Sequence, residues 1–405
     1  MLSRSGLEGV RVLDFAQVWA GPYCSLLLAL NGAEVIKVES ERRIDHSRLF
    51  SVTLGTRYMG KDESPLFNTL NINKLDITLN LSHPKGVELA KDIARVCDVV
   101  IENFRPGVMS RLGVDYEALR KVKPDVIYLS SSSRGGTGPE WDYAGYAPIF
   151  AALGGVSYVT GHPDGMPSPI SGRTDLLVGT SGFLAIVAAL IYRSRTGKGQ
   201  YIDLSSSEAM SVLIGEMFMD YAMNRRDQTP KGNQDSIMAP HNCYRCKGDD
   251  KWVSIAIASD DEWQAFCDVI GNPDWTRDRK FSDAYSRKAN EKELDRLVSQ
   301  WTMNHTHYEA MEMLQRAGAA AMPSFSGEEL LNNPHLEERG FFTEIHHPVM
   351  GKQTVVGPPW KLSATPGKVS RHAPLFGEHN KYVFGELLGM SQEDIDELQK
   401  QKVIY

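Results

Sequence analysis

The sequence predicts an α/β protein: a Rossmann-like large domain built on a parallel sheet, with a smaller α+β domain beside it. Three observations predict this. Short runs rich in β-branched residues alternate with helical stretches from Val10 to Ser131. A different pattern, a hairpin followed by helices, begins near Asn242. And 405 residues are too many for one simple core.

Taken in order, VRVLDFA (10–16) is a short apolar strand. PYCSLLLALNG (22–32) is helical, with Pro22 in the first turn and Gly32 as the stop. EVIKVE (34–39) is the next strand, which completes a βαβ unit. HPKGVELAKDIARV then leads into DVVIENF, and YEALRKVKP into DVIYLSS. The turn after the first strand reads AQVWAGPYCS rather than GxGxxG, and GGTG (135–138) lacks the strand-to-helix setting, so a nicotinamide dinucleotide is not indicated. Ligands of open α/β sheets bind beyond the C-terminal strand ends, which here carry Gln17 to Trp19, Glu39, Asn103 with Phe104, and Ser130 to Ser133.

An irregular Gly- and Pro-containing segment, 134–174, precedes an apolar stretch, Leu176–Tyr192, that reads as a helix buried nearly all round. After a turn at TGKG (196–199) comes the strand QYIDLS (200–205). Ser205 and Glu208 have capping-box spacing for one continuous helix, EAMSVLIGEMFMDYAM, whose Met-rich face suits core or subunit contact. Residues 224–242 are turn-rich. NCYRC and KWVSIAIA around KGDD form a hairpin, followed by helices in DEWQAFCDVIG, KELDRLVSQWT and HYEAMEMLQRAG. FFTEIHHP and KQTVVGPPWKL flank a turn at MG, and SQEDIDELQ closes the chain as a helix. The expected division is a discontinuous large domain, 1–205 with 335–405, a helix and linker at 206–240, a small domain at 241–325, and a return linker at 326–334.

Composition bounds the function. A formal net charge of −7 argues against nucleic acid as partner, while the local cluster from Lys37 to Arg48 keeps an anionic small molecule in play. The N-terminus lacks the apolar core of a signal peptide, and Thr, Ser and Gly interrupt the 176–192 run, so the expectation is a cytoplasmic protein without membrane contact. Five thinly spread cysteines suggest reduced thiols. Cys243 and Cys246 form one CxxC with no second pair, and no metal is expected there.

The residue that raises a chemical question is Asp175, followed by no charged residue until Arg193. Asp is a favoured N-cap, and free backbone N–H groups and the helix dipole stabilise a carboxylate there. The same geometry suits a weakly solvated nucleophile for an acyl carbon, with glycines admitting a bulky thioester and free N–H groups holding an oxyanion. The residues alone leave both readings open.

Several ordered blocks decide between them. They are LEGVRVLDFAQVWAGPYCSLLLALNGAEVIKVE, NINKLDITLNL, VVIENFRPGVMSRLGV, AGYAPIFAALGG, GRTDLLVGTSGFLAIVAALIYRSRTGKGQYIDLSSSEAM, APHNCYRCKGDDKWVSIAI and APLFGEHN. In this order, from about Leu7 onward, the chain resembles the family III CoA-transferases, the group of formyl-CoA:oxalate and carnitine CoA-transferases. The resemblance implies that Asp175 is the catalytic carboxylate, forming first an aspartyl-acyl anhydride and then an aspartyl-CoA thioester, with CoA passing finally to an acceptor acid. Coenzyme A and acyl-CoA are then substrates, no cofactor is bound permanently, and neither ATP nor metal is required. The resemblance further implies CoA contacts from Val18, Lys74, Asn103, Phe104 and Arg111, with Trp19 and Tyr146 near the substrate, while His241, in a stretch that departs from the family, is a candidate to meet an acceptor carboxylate. It also implies an interlocked dimer, either a homodimer or a pairing with a related subunit.

Two departures qualify the resemblance. Where some members carry a glycine run as a flap, this chain reads GNQDSIMAPHN. Trp19 stands where the formyl-CoA enzymes present an amide, which points away from oxalate and towards a larger acceptor. With succinyl-CoA as donor, an aryl-substituted dicarboxylate such as benzylsuccinate becomes a candidate. Racemases of the same superfamily use a Gly-His-Asp segment, whereas this chain has Gly145-Tyr146-Ala147 and lacks that His. The remaining alternatives are a chain active only with a related partner and a CoA-binding protein without catalysis.

Overall fold

The structure, a computed structural model, describes residues 5–49, 60–170 and 172–405. Six parallel strands form its frame: β1 (Arg11–Asp14), β2 (Glu34–Glu39), β3 (Leu75–Thr78), β4 (Val99–Glu102), β5 (Ile127–Ser132) and β6 (Gln200–Ser205), in the order β3-β2-β1-β4-β5-β6. The order reverses direction between β1 and β4, which opens a crevice at their C-terminal ends.

Alternation along the strands builds two cores. Leu13, Ile36, Ile77 and Val100 face one side, under the helices Pro84–Arg95 and Gln392–Lys400. Their chain neighbours Val12, Val35, Val99 and Ile101 face the other, under the helices Ala20–Leu30 and Arg173–Thr196. The outer edge of β3 is closed by residues from the end of the chain. Thr78 donates its N–H to Asn380 Oδ1 at 2.9 Å and its hydroxyl to the Tyr405 carbonyl at 2.8 Å, and Asn80 N–H donates to the Val403 carbonyl at 2.8 Å. The hairpin β10 (Phe342–His347) with β11 (Gly351–Val356) pairs antiparallel, as the sequence leads one to expect.

Contacts divide the chain into two units, one of Met1–Ser157, Pro169–Asp227 and His335–Tyr405, the other of Tyr158–Ser168 and Gln228–Pro334. The second unit is an antiparallel sheet of β7 (His241–Arg245), β8 (Trp252–Ala256) and β9 (Ala320–Pro323) packed on helices Asp260–Val269, Glu291–Thr302 and His307–Arg316. Ser259 caps the first of these helices, and Thr306 with Glu309 forms a capping box on the third. β9 carries no sequence signal, since AAMP is short, small-sided and ends in Pro.

Two expectations need correction. The helix over 176–192 is longer, Arg173–Thr196, and is not buried all round. Val178, Gly182, Ile186 and Ala189 are buried, but Thr180, Leu184, Ala188 and Ile191 form an exposed stripe, with Leu184 68% exposed. The stripe was unreadable because its residues are as apolar as those of the buried face. The helix expected over 208–223 is broken. It runs Ser206–Ser211, tightens into a 3-10 turn at Val212–Ile214, and resumes as Gly215–Asn224. Ser205 does cap it, accepting the Glu208 N–H at 3.3 Å, but the second piece buries none of its residues, and Met223 is 73% exposed.

Candidate active site

The crevice between β1 and β4 is organised by side chains that hold the backbone leaving β1. Ala16 N–H donates to Asp14 Oδ1 at 2.9 Å, and the Ala16 carbonyl accepts from Lys37 Nζ at 2.7 Å. Asn103, just past β4, accepts the Gln17 N–H through Oδ1 and donates Nδ2–H to the Gln17 carbonyl, both at 2.8 Å. Val18 N–H donates to Asp45 Oδ1 at 3.0 Å. Val18 stands at φ +72°, a left-handed conformation that costs a β-branched residue about 1–3 kcal/mol and needs such surroundings to persist. The helix Ala20–Leu30 starts at once. Among the described residues the N–H groups of Trp19, Ala20 and Gly21 have no recorded acceptor, as the open N-terminus of a helix requires.

Asp175 reaches this crevice through a close helix crossing. A Cβ added at Gly179 would stand 2.7 Å from the Ala20 carbonyl oxygen and 3.1 Å from Cys24 N, so only glycine lets the two backbones touch there. Residues at i and i+4 share a helix face, so Asp175 lies on the face that meets the start of Ala20–Leu30. Gly172 precedes the first turn at φ +72°, and a Cβ there would stand 3.1 Å from Trp19 Cη2. The indole ring therefore lies over the entry to the turn that carries Asp175.

The cap expectation is overturned by this geometry. Gly172 is the N-cap, without a side-chain bond, and Asp175 is the third helical residue. Its carboxylate makes no hydrogen bond or ion pair among the described residues, and burial alone pushes it up to about 7. Its neighbour Thr174 likewise buries Oγ1 without a partner among them. A carboxylate and a hydroxyl without partners among the described residues thus share one turn, on a helix that crosses the start of Ala20–Leu30 closely at Gly179. A carboxylate that is desolvated but unpaired can attack a carbonyl, and N–H groups close by can hold the oxyanion that forms.

The other expected residues divide. Phe104 is half-buried beside Asn103, and the Arg43 guanidinium lies over its ring at 5.3 Å. Arg111 is exposed, folded back so that Nη1 lies 3.4 Å from where a Cβ on Gly107 would be. Both arginines are exposed to solvent. Lys74 is not. It is fully buried, and its ammonium lies at 2.8 Å from the Pro22 carbonyl, 2.8 Å from Asn71 Oδ1 and 3.4 Å from Asp14 Oδ2, so it braces the helix start from beneath. The Lys37–Arg48 cluster shrinks in the same way. Lys37 and Arg48 are buried in ion pairs with Asp45 and Glu39, leaving Arg42 and Arg43 exposed. Val18 has only its carbonyl left for a ligand. Tyr146, at the start of helix Ala147–Leu153, is 75% exposed. His241 belongs to the second unit, where its Nδ1 bonds the Asn233 carbonyl at 2.7 Å.

Two features of the site lay outside the sequence reading. One is Asp45, whose bond to Val18 spans 27 positions. The other is a cavity of about 360 Å³ beyond β4 and β5, lined by Arg105, Tyr116, Trp141 and the buried Glu102, which burial pushes up to about 7. The aromatic stack of Tyr116, Tyr128 and Tyr201 beside it gave only scattered tyrosines as a signal.

Comparison with known proteins gives the family of the chain. The family model described as CoA-transferase family III matches residues 7–380. Succinyl-CoA--D-citramalate CoA-transferase of Chloroflexus aurantiacus is 34% identical over 98% of this chain and 98% of its own. The beta subunit of succinyl-CoA--L-malate CoA-transferase from the same organism is 32% identical, again over 98% of each. Among solved structures, a CAIB/BAIF family protein from Brucella suis superposes with a TM-score of 0.86 at 29% identity, over 95% of this chain and 100% of that one.

Proposed function

The chain belongs to CoA-transferase family III, and we propose that it moves CoA from succinyl-CoA to a dicarboxylic acid with Asp175 as the nucleophile. The observation that carries this reading is the half-buried Asp175 carboxylate, without a partner among the described residues, in the first turn of Arg173–Thr196 on the face that meets the start of Ala20–Leu30.

Asp175 attacks the thioester carbonyl and expels CoA thiolate, giving an aspartyl-acyl anhydride. The thiolate attacks the aspartyl carbonyl of that anhydride, releasing the donor acid and leaving an aspartyl-CoA thioester. The acceptor carboxylate then displaces the thiolate from this thioester, and the thiolate takes the acceptor's acyl group, freeing Asp175. Each step exchanges one activated acyl group for another, and Trp19 over Gly172 shields the turn from water, which would hydrolyse either intermediate. Arg43 and Arg111 serve the phosphates of CoA. A dicarboxylate acceptor is supported by relatives whose names give D-citramalate and L-malate. The bulk of Trp19 makes benzylsuccinate an aryl-substituted candidate to test beside them.

We also read the protein as a dimer with a second copy or a related chain. Two helices support it, since each exposes apolar side chains that a partner would cover: Leu184, Ala188 and Ile191 on one, and Phe218, Met219 and Met223 on the other.

The test is mass spectrometry after incubation with succinyl-CoA and hydroxylamine. The expected result is a hydroxamate on Asp175 that is absent in Asp175→Ala, with CoA then passing to at least one dicarboxylate in a panel of citramalate, malate and benzylsuccinate. Bound acyl-CoA with no modification would overturn the nucleophile, and deuterium exchange at the acyl α-carbon would then favour a racemase.

A further inference from the structure

The turn that carries Val18 and Trp19 is held by a group that the reaction steps leave unused. Asp45 is fully buried, and its Oδ1 accepts three bonds: Val18 N–H at 3.0 Å, Ser47 N–H at 2.9 Å and the Ser47 hydroxyl at 2.8 Å. Its Oδ2 lies 2.8 Å from Lys37 Nζ, and neither side chain is exposed at all. Lys37 also donates to the Ala16 carbonyl at 2.7 Å. One buried ion pair therefore grips the turn at both ends. The Ser47 bonds are local and would organise residues 45–49 by themselves. The bond to Val18 reaches 27 positions back along the chain and does something further.

What it does follows from the conformation of Val18. A β-branched residue leaves φ +72° unless its surroundings over-determine it. Residues 16 and 17 are fixed by Asp14, Lys37 and Asn103, so the one N–H that decides the next peptide is Val18's, and Asp45 takes it. The following residue is Trp19, whose ring lies over Gly172, three positions before Asp175. We propose that Asp45, with Lys37 behind it, is a positioning residue of the acyl-transfer site. It holds Val18 left-handed and so fixes where Trp19 stands over the turn carrying Asp175. This inference rests on Asp175 being the nucleophile.

Asp45→Asn tests it, because an amide offers one acceptor oxygen where the carboxylate offers two, and Lys37 and Val18 must compete for it. Val18→Gly supplies the matching background, since glycine holds a positive φ unaided. At saturating succinyl-CoA, Asp45→Asn should slow hydroxamate formation at Asp175 at least about tenfold, with the half-saturating donor concentration within about threefold of wild type. In the Val18→Gly background the same substitution should cost less than about threefold. Equal losses in both backgrounds, or a loss carried by the donor concentration alone, overturn the proposal. A wild type that forms the hydroxamate and an Asp45→Asn variant that matches it overturn this proposal alone. A wild type that forms none overturns the nucleophile and the proposal with it. Should the unpaired ammonium of Lys37 prevent Asp45→Asn from folding, residue-resolved hydrogen exchange on the wild type decides. Val18 N–H should exchange far more slowly than Ala20 N–H, and equal rates overturn the hold.

Discussion

Asp45 and Asp175 are two aspartates of one unit whose charge burial opposes alike, with opposite outcomes. Burial opposes the charge of Asp45, but the Lys37 ammonium and the Ser47 hydrogen bonds outweigh it and hold the carboxyl below its usual range. Asp175 meets burial with no partner among the described residues and is pushed up to about 7. A buried carboxylate whose lone pairs are all engaged belongs to the frame. One left unengaged at the mouth of a crevice is free to form a bond. The two kinds stand at successive layers of one construction, because Asp45 holds the turn whose next residue covers the helix that carries Asp175.

Four measurements break or sharpen this contrast. The largest effect concerns pH. Only ionised Asp175 attacks, so the rate of hydroxamate formation at saturating donor should fall about a hundredfold from pH 8 to pH 5, following its pKa of about 7. A flat profile removes the distinction between the two aspartates. Stability should move in the opposite sense. The folded state holds the Asp175 proton more tightly than the unfolded chain, whose carboxyl titrates near 3.8, so stability present at low pH is lost as pH rises from about 4 to about 7. Asp175→Asn should therefore be more stable than wild type at pH 8 by about 2 kcal/mol, some thirtyfold in the folding equilibrium, with no advantage near pH 4. Urea titrations at the two pH values check it.

Gly179→Ala comes next. Its Cβ meets the Ala20 carbonyl at 2.7 Å, a backbone atom that cannot swing aside. The helices must part, lowering stability by about 1–3 kcal/mol and the trapping rate about tenfold. Gly182→Ala meets only side chains, at 3.0 Å and beyond, and should do less. Wild-type behaviour in Gly179→Ala would mean that the crossing does not aim Asp175. The smallest effect belongs to the exposed cations. Arg111→Ala should raise the half-saturating acyl-CoA concentration about threefold with the maximal rate unchanged, and the increase should shrink in high salt.

Much of this architecture was legible because it is local. Strand runs such as EVIKVE and VVIE declare themselves by composition, and Ser205 with Glu208 declares a helix start. The strand order was not legible, since pairing β1 with β4 depends on contacts between residues far apart in the chain. In the site, Asp175 stood out by its charge at the head of an apolar run, yet its place inside the first turn needed the backbone. Lys74 misled because a lysine reads alike whether it meets solvent or Asp14, and only the fold shows the latter. Asp45 gave no sign, because nothing in the sequence marks a valine with positive φ or names the acceptor of its N–H.

The closure of β3 bears on how the protein is made. The acceptor for the Thr78 hydroxyl lies 327 positions further along the chain, at Tyr405. During synthesis the ribosome must therefore deliver the chain as far as Tyr405 before that border of the sheet finds its covering. Until then β3 offers unpaired N–H and C=O groups to any neighbouring nascent chain. Val403 to Tyr405 act as a late seal, and their loss would be felt first as aggregation in the cell, ahead of any change in chemistry at Asp175.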